Sequence, residues 1–499
     1  MAEFDQALDS YDAALAALPE RERLERAAIA ILEIDVLVRA TRFEEAADLI
    51  DAVEADLRGL APEGRPLPPD ARVLLARLAE LRSLKSQRLA DVRQALDWAE
   101  HGLAQIARLP AAHPQVAATR TRLYQATAAA AMALNDFSRS RRMLGNAFRL
   151  VKRYPHPSIE GELQLRQALL VQRTEQLRPA IRLFRAVLPR LEATGTRDRL
   201  SYVLLPGGQA LAYHGDYAES EAWLARGVRL GKETGSAFLV CSGLSVLCWL
   251  NTHTGDWDAV LRYSEEGKLL AERHELRLWF TRFLACEGEI RFYRGEFAHG
   301  NALFNQLQGY GEEHALVAQR YLAYGAFMAG ELGQALGSMI GTTVESASVA
   351  SSDQAFDVLG IAEWRVLLMS QGVLPPQDDA ILEQAVINGL AFWQQHGYRS
   401  NLPYGWRIRA MLAWQAGRLG VAQAAIRRGL AVARRIGNVP EQARCLFWRA
   451  KIDLRAGAPQ RSRRDLADAA RIFAALGAWP EHGKTEALMR APHDHRIVL

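Results

Sequence analysis

The amino-acid sequence predicts an all-α protein built as a solenoid, in which short helix pairs stack on one another along the chain. Three observations lead to this fold class. Alanine and leucine dominate the composition and only 19 of the 499 residues are proline, a balance that favours helix. One kind of turn returns along the chain at a nearly constant interval. Apolar residues at helical spacing stand on both sides of each turn.

The repeating turn reads glycine, then an acid, then an aromatic residue, at Gly215, Gly255 and Gly295. Equivalent turns are predicted in both directions along the chain. They fall at Ala2, Thr41, Gln87, Asn135, Glu175, Gly330, Gly372, Gly417 and Gly457. Because an isolated helix pair cannot bury its apolar face, the repetition predicts that neighbouring pairs stack into a solenoid.

Each repeat is predicted to have a first helix before the turn and a second helix after it. Glycine at the turn can adopt the left-handed conformation that ends the first helix, and the acid that follows can cap the second. The aromatic residue, for example Tyr217 or Trp257, is then expected to fill the corner between the two helices. Seven residues before the turn a small residue recurs, as at Ala168, Gly208 and Cys248, which allows the helices to pack closely.

The stretch GGQALAYHGDYAESEAWLARG resembles the tetratricopeptide repeat. Gly208, Gly215, Tyr217 and Gly227 stand at that family's small and aromatic positions, whereas Ser220 stands where the family usually has alanine. The resemblance implies a right-handed α-solenoid of about eleven to twelve tetratricopeptide-like helix-turn-helix repeats. The period near 40, instead of the usual 34 or so, is similar to that of the MalT-type helical-repeat domain. In that family the domain belongs to large ATP-dependent bacterial transcriptional regulators, between a nucleotidase and a DNA-binding module.

The sequence predicts four parts along the chain. Residues 1–340 are expected to form a regular superhelix whose first repeat lacks its first helix, and 341–356 an irregular linker or hinge. Residues 357–490 are expected to form C-terminal repeats with a cap helix, and 491–499 a tail. A merely longer loop is the alternative to a hinge at 341–356. Without ATPase and DNA-binding modules, the chain is expected to be a fragment or split relative of a longer regulator, or a naturally capped array.

The charge and cysteine content restrict the class of protein. Basic and acidic residues number 61 and 57 and are spread over the chain, which favours a solvated mixed-charge surface over a nucleic-acid-binding one. The four cysteines form no CxxC pair and lie in apolar helical segments, so a disulfide framework is not predicted. The N-terminus lacks a basic signal region, and no apolar run approaches the roughly 18 residues of a membrane span. We therefore expect a cytoplasmic protein.

No motif in the chain indicates a particular chemistry. The segment GAWPEHGKT at 477–485 has five residues between its glycines where a phosphate loop has about four, and no apolar strand precedes it. His493 and His495 flank Asp494, but no further metal ligands stand nearby in the sequence. The sequence therefore predicts no catalytic residue, no metal site and no cofactor.

The candidate binding surface is the concave groove that the first helices are expected to line. Inward-pointing positions are counted back from each turn, and before Gly215 they hold Tyr202, Leu205, Pro206, Gln209, Ala212 and Tyr213. In the central repeats, the aromatic, arginine and histidine residues at these positions are Tyr202, Tyr213, Trp249, His253, Arg282, Phe292, Tyr293, Arg320, Tyr321, Tyr324 and Phe327, and Tyr404, Arg407 and Trp414 continue the set further along the chain. Aromatic and arginine side chains are favoured in binding hot spots. Some of them are expected to pack between repeats and the others to line the groove.

These patterns predict a non-enzymatic interaction or effector-sensing scaffold that binds a peptide, a protein or a small ligand in the groove. The resemblance implies a place in a bacterial signalling or transcriptional-regulatory system. A nucleic-acid-binding repeat protein is the alternative, which would need a continuous arginine stripe. A divergent enzyme is the third hypothesis, which a deep pocket with strongly shifted pKa values would favour. A protein or peptide partner or a small effector is expected; direct nucleic-acid binding and a membrane are not.

Overall fold

The computed structural model describes residues 3–61, 66–174, 176–194, 197–337, 347–374, 380–492 and 498. All regular secondary structure in these residues is helical. The first twelve helices are α1 (Glu3–Ala17), α2 (Arg23–Arg39), α3 (Phe43–Arg58), α4 (Pro69–Arg88), α5 (Val92–Gln105), α6 (Pro114–Ala133), α7 (Phe137–Arg153), α8 (Pro157–Arg173), α9 (Leu177–Thr194), α10 (Arg197–His214), α11 (Tyr217–Thr234) and α12 (Ala237–Thr254). The next twelve are α13 (Trp257–Arg273), α14 (Arg277–Tyr293), α15 (Phe297–Gln308), α16 (Glu312–Ala329), α17 (Leu332–Gly337), α18 (Ser352–Ser370), α19 (Ala380–His396), α20 (Leu402–Gln415), α21 (Leu419–Ile436), α22 (Val439–Arg455), α23 (Pro459–Leu476) and α24 (Trp479–Arg490).

Helix pairing follows the predicted repeat. Each even-numbered helix from α2 to α24 occupies the first-helix position of a repeat, and the odd-numbered helix that follows each of α2 to α22 is the second helix. Consecutive helices such as α4 and α5, or α20 and α21, pack against each other. Even-numbered neighbours also touch, as α2 does with α4 and α20 with α22. The fold class is therefore confirmed as an all-α solenoid of tetratricopeptide-like helix pairs.

The predicted turns are the points at which the backbone enters the left-handed region. Positive φ angles occur at Thr41, Asn135, Gly215, Gly255, Gly295, Gly330, Gly372, Gly417 and Gly457. The turn predicted at Gln87 is wrong by three residues, because α4 continues to Arg88 and the left-handed residue is Ala90, with φ 65°. Ala2 and Glu175 lie outside the described residues.

The sequence pattern missed a second series of left-handed turns, which ends the second helices. These turns lie at Gly235, Glu275, Gly397, Gly437 and Gly477, and they are evenly spaced within each run. In both series the left-handed residue lets the backbone amides just beyond the helix bond back to its last carbonyl groups. Only some second helices end in this way, because the residues that follow α3, α5, α7 and α15 have negative φ angles.

The corner and packing residues are buried as predicted. Tyr217 is 7% exposed and Trp257 is 2% exposed. The small residues seven positions before the turns let the paired helices approach closely. At Gly288, for example, a Cβ atom would lie only 2.7 Å from Cε2 of Phe304 on the next helix.

The chain divides into two compact units, and the division does not follow the predicted hinge at 341–356. The first unit comprises Met1–Gly208, Ala222–Leu244 and Leu269–Phe280. The second comprises Gln209–Glu221, Ser245–Lys268 and Thr281–Leu499. The grouping reflects contacts between residues distant in the chain, not a break in the helical pattern. Within the predicted hinge, 341–346 lie outside the described residues, and α18 already begins at Ser352, so a hinge there stays a prediction.

In the first unit, the end of α2 and the turn after it contact residues that lie much further along the chain. The Arg39 side chain forms an ion pair with Asp198 at 2.6 Å. The Ser236 hydroxyl donates to the carbonyl of Arg39 at 2.8 Å, and the Phe238 amide donates to the Thr41 hydroxyl at 3.3 Å. The stacked repeats of this unit therefore close back on themselves.

The second unit closes in the same way. Ser400 donates from its amide and its hydroxyl to the carbonyl of Tyr213, at 3.2 and 2.9 Å. At Gly255 the approach is so close that a Cβ atom would lie 2.6 Å from Cδ2 of Leu476. The first helices of this unit are consequently arranged around a central space.

One helix contradicts the sequence expectation that no segment is apolar and long enough to span a membrane. This helix, α12, has a mean hydropathy of 1.2 over its 18 residues, and 67% of it is buried within the protein. Core helices and membrane spans share such length and composition, so the helix is weak evidence for a membrane.

Candidate functional site

The second unit contains a cavity of about 370 Å³. Seven first helices or the residues just before them, from α12 to α24, contribute its walls. The lining residues are Trp249, Thr252, His253, Cys286, Glu289, Tyr293, Arg320, Tyr321, Tyr324, Phe356, Gly360, Glu363, Trp364, Ser400, Asn401, Tyr404, Arg407, Asn438, Pro440, Glu441, Arg444 and Glu481. Aromatic rings and charged groups predominate in the walls of this space, here called the central cavity.

Helical spacing places these side chains on one face of each helix. Trp249 and His253 stand four residues apart on α12, and Glu289 and Tyr293 stand four apart on α14. Residues three or four apart in an α-helix lie above one another on the same face. Each helix therefore presents a short column of residues to the cavity.

A chain of alternating charges crosses one side of the cavity. Arg407 binds Glu441 through two hydrogen bonds, of 2.9 and 3.1 Å, and Glu363 through a third of 2.6 Å. Arg444 bridges Glu441 at 3.3 Å and Glu481 at 3.2 Å. The side chains of Arg407, Glu441 and Glu481 are at most 8% exposed. Three carboxylates and two guanidinium groups thus form one buried network.

Mutual pairing favours the ionised forms of Glu441 and Arg407. Burial opposes the charge of Glu441, but the guanidinium groups of Arg407 and Arg444 outweigh it and hold the pKa of the carboxyl below its ordinary value. Burial likewise opposes the charge of Arg407, and the two glutamates hold its pKa above the ordinary value. One carboxylate oxygen of the network is unsatisfied, because Oε2 of Glu481 is buried and has no hydrogen-bond partner among the described residues.

Glu289 has a different environment from the other acids. The Tyr293 hydroxyl donates to its Oε1 at 2.8 Å, and the Tyr321 hydroxyl is a second donor. No ion pair to Glu289 occurs among the described residues. Burial raises the pKa of this carboxyl above its ordinary value. The two tyrosine donors, and the charge of Arg444, which forms no ion pair with it, offset the effect only in part. Glu289 is therefore the acid that faces the cavity without a cation of its own.

His253 supplies a neutral acceptor. Its ring lies 3.9 Å from the Trp249 ring, centroid to centroid, and its Nδ1–H donates to the Trp249 carbonyl at 2.8 Å. Burial lowers the pKa of His253 to about 4, so the imidazole is neutral near pH 7. With the proton on Nδ1, the Nε2 atom is left as an acceptor.

Aromatic rings form the remaining wall. Phe356 stacks on Tyr404 with 5.6 Å between ring centroids, and the Arg407 guanidinium lies 5.2 Å from the Tyr404 centroid. Tyr324 meets Trp364 edge to face at 6.4 Å. Rings in such contacts pack rigidly and offer flat apolar faces to a ligand.

Comparison with known proteins gives likenesses in structure but not in sequence. No protein-family model matches the chain, and no curated protein is similar to it in sequence. Among solved structures, a Rap protein complexed with Competence and Sporulation Factor is similar with a TM-score of 0.47 and 14% identity, covering 79% of this chain and 99% of that chain. Cut9 with Hcn1, from the APC/C, has a TM-score of 0.47 and 12% identity, covering 100% and 95%.

A third similar structure is a signal-transduction ATPase with a tetratricopeptide repeat sensor from Pyrococcus horikoshii. Its TM-score is 0.45 and its identity 14%, and the match covers 67% of this chain and 51% of that one. Likenesses with TM-scores below 0.5 carry no argument about function. The fold assignment rests on the helix pairs and turns described above.

The structure brings eight of the fourteen predicted groove residues together in the central cavity. They are Trp249, His253, Tyr293, Arg320, Tyr321, Tyr324, Tyr404 and Arg407. Tyr213 lies behind them, because its ring contacts Trp249 edge to face at 5.0 Å. Arg282 is exposed and does not line the cavity. Tyr202 lies in the first unit, at a smaller cavity.

The three other predicted residues are core residues. Phe292 is 0%, Phe327 4% and Trp414 3% exposed, and none of them lines the central cavity. All three stand three residues before a turn. That position of the repeat therefore packs against neighbouring helices in these repeats and does not face the cavity.

Sequence reasoning missed the acidic half of the site. It assigned acidic residues to solvated helix faces, which is wrong for Glu441 and Glu481, 6% and 1% exposed. A signal existed for Glu289, which stands six residues before its turn, the same position as Trp249 and Tyr324. The positions of Glu441 and Glu481, near the starts of α22 and α24, had no such signal.

The site can hold a ligand through stacking and hydrogen bonds. Its polar groups comprise carboxylates, guanidinium groups, a neutral imidazole, tyrosine hydroxyls and amide side chains. Among the described residues, no group of three or more His, Cys, Asp or Glu side chains is placed to hold a metal ion. The chemistry available is recognition of a molecule that combines flat apolar surface with polar groups.

Proposed function

We propose that the chain is a ligand-binding module that senses a small organic effector or a short peptide in the central cavity. One observation carries the proposal: seven first helices of one unit surround a single cavity with aromatic and buried charged walls. Small-molecule sites in proteins commonly span about 300 to 1,000 Å³ and combine apolar walls with a few placed polar groups. The cavity volume of about 370 Å³ falls in the lower part of that range.

The size argues for a small ligand or the end of a peptide. A folded protein partner binds through a surface of standard size, about 800 Å² on each side. Such a partner could enter this cavity only with a protruding segment of a few residues. We therefore propose that the cavity binds a small molecule or a short peptide, and that a folded protein could bind there only through such a protruding segment.

The lining also indicates the chemistry of the ligand. Glu289 lacks a cation, and the Nε2 atom of His253 is an acceptor, so both favour a group on the ligand that donates hydrogen bonds. A cationic group would gain most, because it could pair with the Glu289 carboxylate, which forms no ion pair with the described residues. We propose a ligand with an amine, guanidine or hydroxyl group next to a ring or other apolar part.

Binding inside a ring of helices suggests how a signal is passed on. A ligand that contacts several helices favours the arrangement in which those helices surround it and shifts the population toward that arrangement. We propose that this shift is read by a protein partner in a cytoplasmic, bacterial regulatory system of the MalT type. The long period of the repeat supports this assignment.

A divergent enzyme is the second candidate, because Glu289 lines the cavity and its pKa is raised. Binding without catalysis is the better-supported role, because every acid in the cavity lining except Glu289 forms an ion pair with an arginine. Glu363, Glu441 and Glu481 each bind Arg407 or Arg444. An enzyme would return the captured compound chemically changed, whereas a sensor would return it intact.

The test is to capture the ligand and then to replace side chains that line the central cavity. The purified full chain is incubated with fractionated metabolites and peptides, separated by gel filtration, and bound compounds are identified by mass spectrometry. Affinity for a captured compound is then measured by calorimetry for the wild type, Trp249→Ala and Tyr324→Ala. The matched control is Trp479→Ala, because Trp479 is 58% exposed.

We expect both cavity variants to lose at least about tenfold in affinity, or about 1.4 kcal/mol, and the control to bind as the wild type does. Equal capture by all four proteins would show that the central cavity is not the binding site. Recovery of a converted compound would favour the enzyme.

A further inference from the structure

The first unit contains a second, smaller cavity whose walls carry many guanidinium groups. Its volume is about 100 Å³. Side chains from α2, α4, α6, α8 and α10 contribute to it, including Arg39, Arg88, Arg122, Arg166, Arg199 and Tyr202. The space is here called the arginine cavity. It belongs to a different unit from the central cavity and forms no part of the proposed function.

The carboxylates around the arginine cavity are already engaged. Arg39 forms ion pairs with Asp35 at 3.0 Å and with Asp198 at 2.6 Å. Arg199 forms an ion pair with Glu162 at 3.0 Å. Arg77, one turn before the lining residue Glu80, forms an ion pair with it.

Three arginines remain without a carboxylate. Arg122 and Arg166 form no hydrogen bond or ion pair with any described residue. Arg88 donates to the carbonyls of Val38 and Arg39 at 2.9 and 3.0 Å and to the Tyr202 hydroxyl. The Nε atom of Arg88 has no partner among the described residues, although this residue is only 5% exposed. A largely buried part of the unit thus holds more positive than negative charge.

The pKa shifts agree with this imbalance. Burial lowers the pKa of Arg166 and of Arg88, and the nearby Tyr202 and Glu162 offset only part of the effect at Arg166. Burial lowers the pKa of Arg77 as well, and the positive charge of Arg122 lowers it further. Uncompensated charge is costly away from water, and the usual remedies are a partner ion or loss of the charge. Because arginine keeps its proton, a partner anion is the remedy that fits here.

We propose that the arginine cavity binds a small anionic group, a phosphate or a carboxylate, through Arg122, Arg166 and the free Nε of Arg88. Guanidinium forks match the oxygens of both anions, which explains why arginine and not lysine lines the space. The volume of about 100 Å³ is about three times the share of one water molecule in the liquid, which suits one such group. The anion can be free or can form the end of a larger ligand.

The first test measures the thermal unfolding of the full chain in chloride, inorganic phosphate and acetate at equal ionic strength. Phosphate also stabilises proteins without a specific site, by exclusion from their surface. Specific binding is separated from that effect because it saturates with concentration and requires the arginines. The variants are Arg166→Met and Arg122→Met. The control is Arg229→Met in the same unit, whose side chain is 67% exposed.

We expect a saturable rise in the melting temperature of the wild type and of Arg229→Met with phosphate, acetate or both. Both cavity variants should lose the saturable part. Arg166→Met should also be at least as stable as the wild type in chloride, because it removes an unpaired charge, and less stable than the wild type at saturating anion. This reversal of order would not follow from a purely structural role of the side chain.

Calorimetric titration of the wild type with the same two anions keeps the proposal testable if a variant fails to fold. A response to phosphate alone would assign a phosphate group, and a response to acetate alone a carboxylate. The absence of saturable binding of either anion to the wild type would overturn the proposal. So would an equal saturable response in all four proteins.

Discussion

Arg407 on α20 and Glu441 on α22 are joined by two parallel hydrogen bonds of 2.9 and 3.1 Å, although they stand 34 residues apart in the chain. Both are almost fully buried, with side chains 3% and 8% exposed. The pair fixes two first helices of successive repeats at the wall of the central cavity. It therefore serves the stability of the unit and the shape of the site together.

Removing one member of this pair should destabilise the protein strongly. Glu441→Gln leaves Arg407 with a buried charge that only Glu363 offsets, and unpairing of this kind costs about 3 to 5 kcal/mol. We expect the free energy of unfolding, measured by urea denaturation with tryptophan fluorescence, to fall by about 3 kcal/mol. Glu383→Gln is the control, because it breaks a more exposed pair with Arg418 and should cost less than about 1 kcal/mol. Equal losses in both variants would contradict the structural account.

Acidification should weaken the fold through His253. In the folded protein its pKa is lowered to about 4, whereas in the unfolded chain it is about 6.5. The unfolded state therefore binds the proton more readily, so this stability is present above about pH 6.5 and is lost as the pH falls toward 4. The full effect is on the order of 3 kcal/mol.

We expect denaturation curves between pH 7 and pH 4.5 to show a smaller loss of stability in His253→Gln than in the wild type. The control is His299→Gln, since the His299 side chain is 50% exposed. An unchanged pH dependence in His253→Gln would show that His253 is not buried as a neutral ring. Glu441 adds to the loss at lower pH, because its arginine partners outweigh the opposing effect of burial and lower its pKa.

Glu289→Gln should separate binding from stability. Because Glu289 forms no ion pair with the described residues, its neutral analogue should unfold within about 1 kcal/mol of the wild type. Affinity for a captured ligand with a basic group should fall by about tenfold or more, since the cation loses its carboxylate. The raised pKa of Glu289 adds a second readout. Below that pKa the Glu289 carboxyl of the wild type carries a proton, which it should release when a cation binds. Glu289→Gln has no such proton to release. Calorimetric titrations in two buffers of different ionisation enthalpy would detect the difference.

Two turn glycines should differ in their tolerance of alanine. Both Gly457 (φ 79°) and Gly255 (φ 96°) occupy the left-handed region, where a Cβ atom causes strain of about 1 kcal/mol or more. At Gly457 no other atom lies near the position of the Cβ, whereas at Gly255 it would lie 2.6 Å from Leu476. We expect Gly255→Ala to cost at least about 1 kcal/mol more than Gly457→Ala in urea denaturation. Similar costs would mean that the second unit is not closed at this point.

The repeating turn was predictable because its cause is local. A left-handed residue such as Gly215 ends the first helix, a corner aromatic such as Tyr217 follows, and both can be recognised within a few residues of sequence. The error at Gln87 had a local cause as well. The segment has neither a glycine nor an aromatic residue, whereas each of the other described turns has at least one of them, and the left-handed position is held by Ala90.

The site was only partly predictable, because the register of the first helices changes along the array. Trp249 and Tyr324 face the central cavity from six residues before their turns, whereas Arg407 faces it from ten and Glu441 from sixteen. The predicted register also included the third residue before each turn, which selected the core residues Phe292, Phe327 and Trp414. Choosing only aromatic and basic types also excluded every glutamate of the wall.

The sequence by itself determined the all-α class, the helix pairs, their period and most of their boundaries, because turn chemistry and apolar spacing act over a few residues. Only the tertiary structure decided which side chains share a cavity. Ser400 bonds to the carbonyl of Tyr213 across 187 residues, and Gly255 packs on Leu476. Such closures bring helices from distant repeats around one space and bury charged groups in its walls. No periodic pattern in the chain specifies which distant repeats will meet.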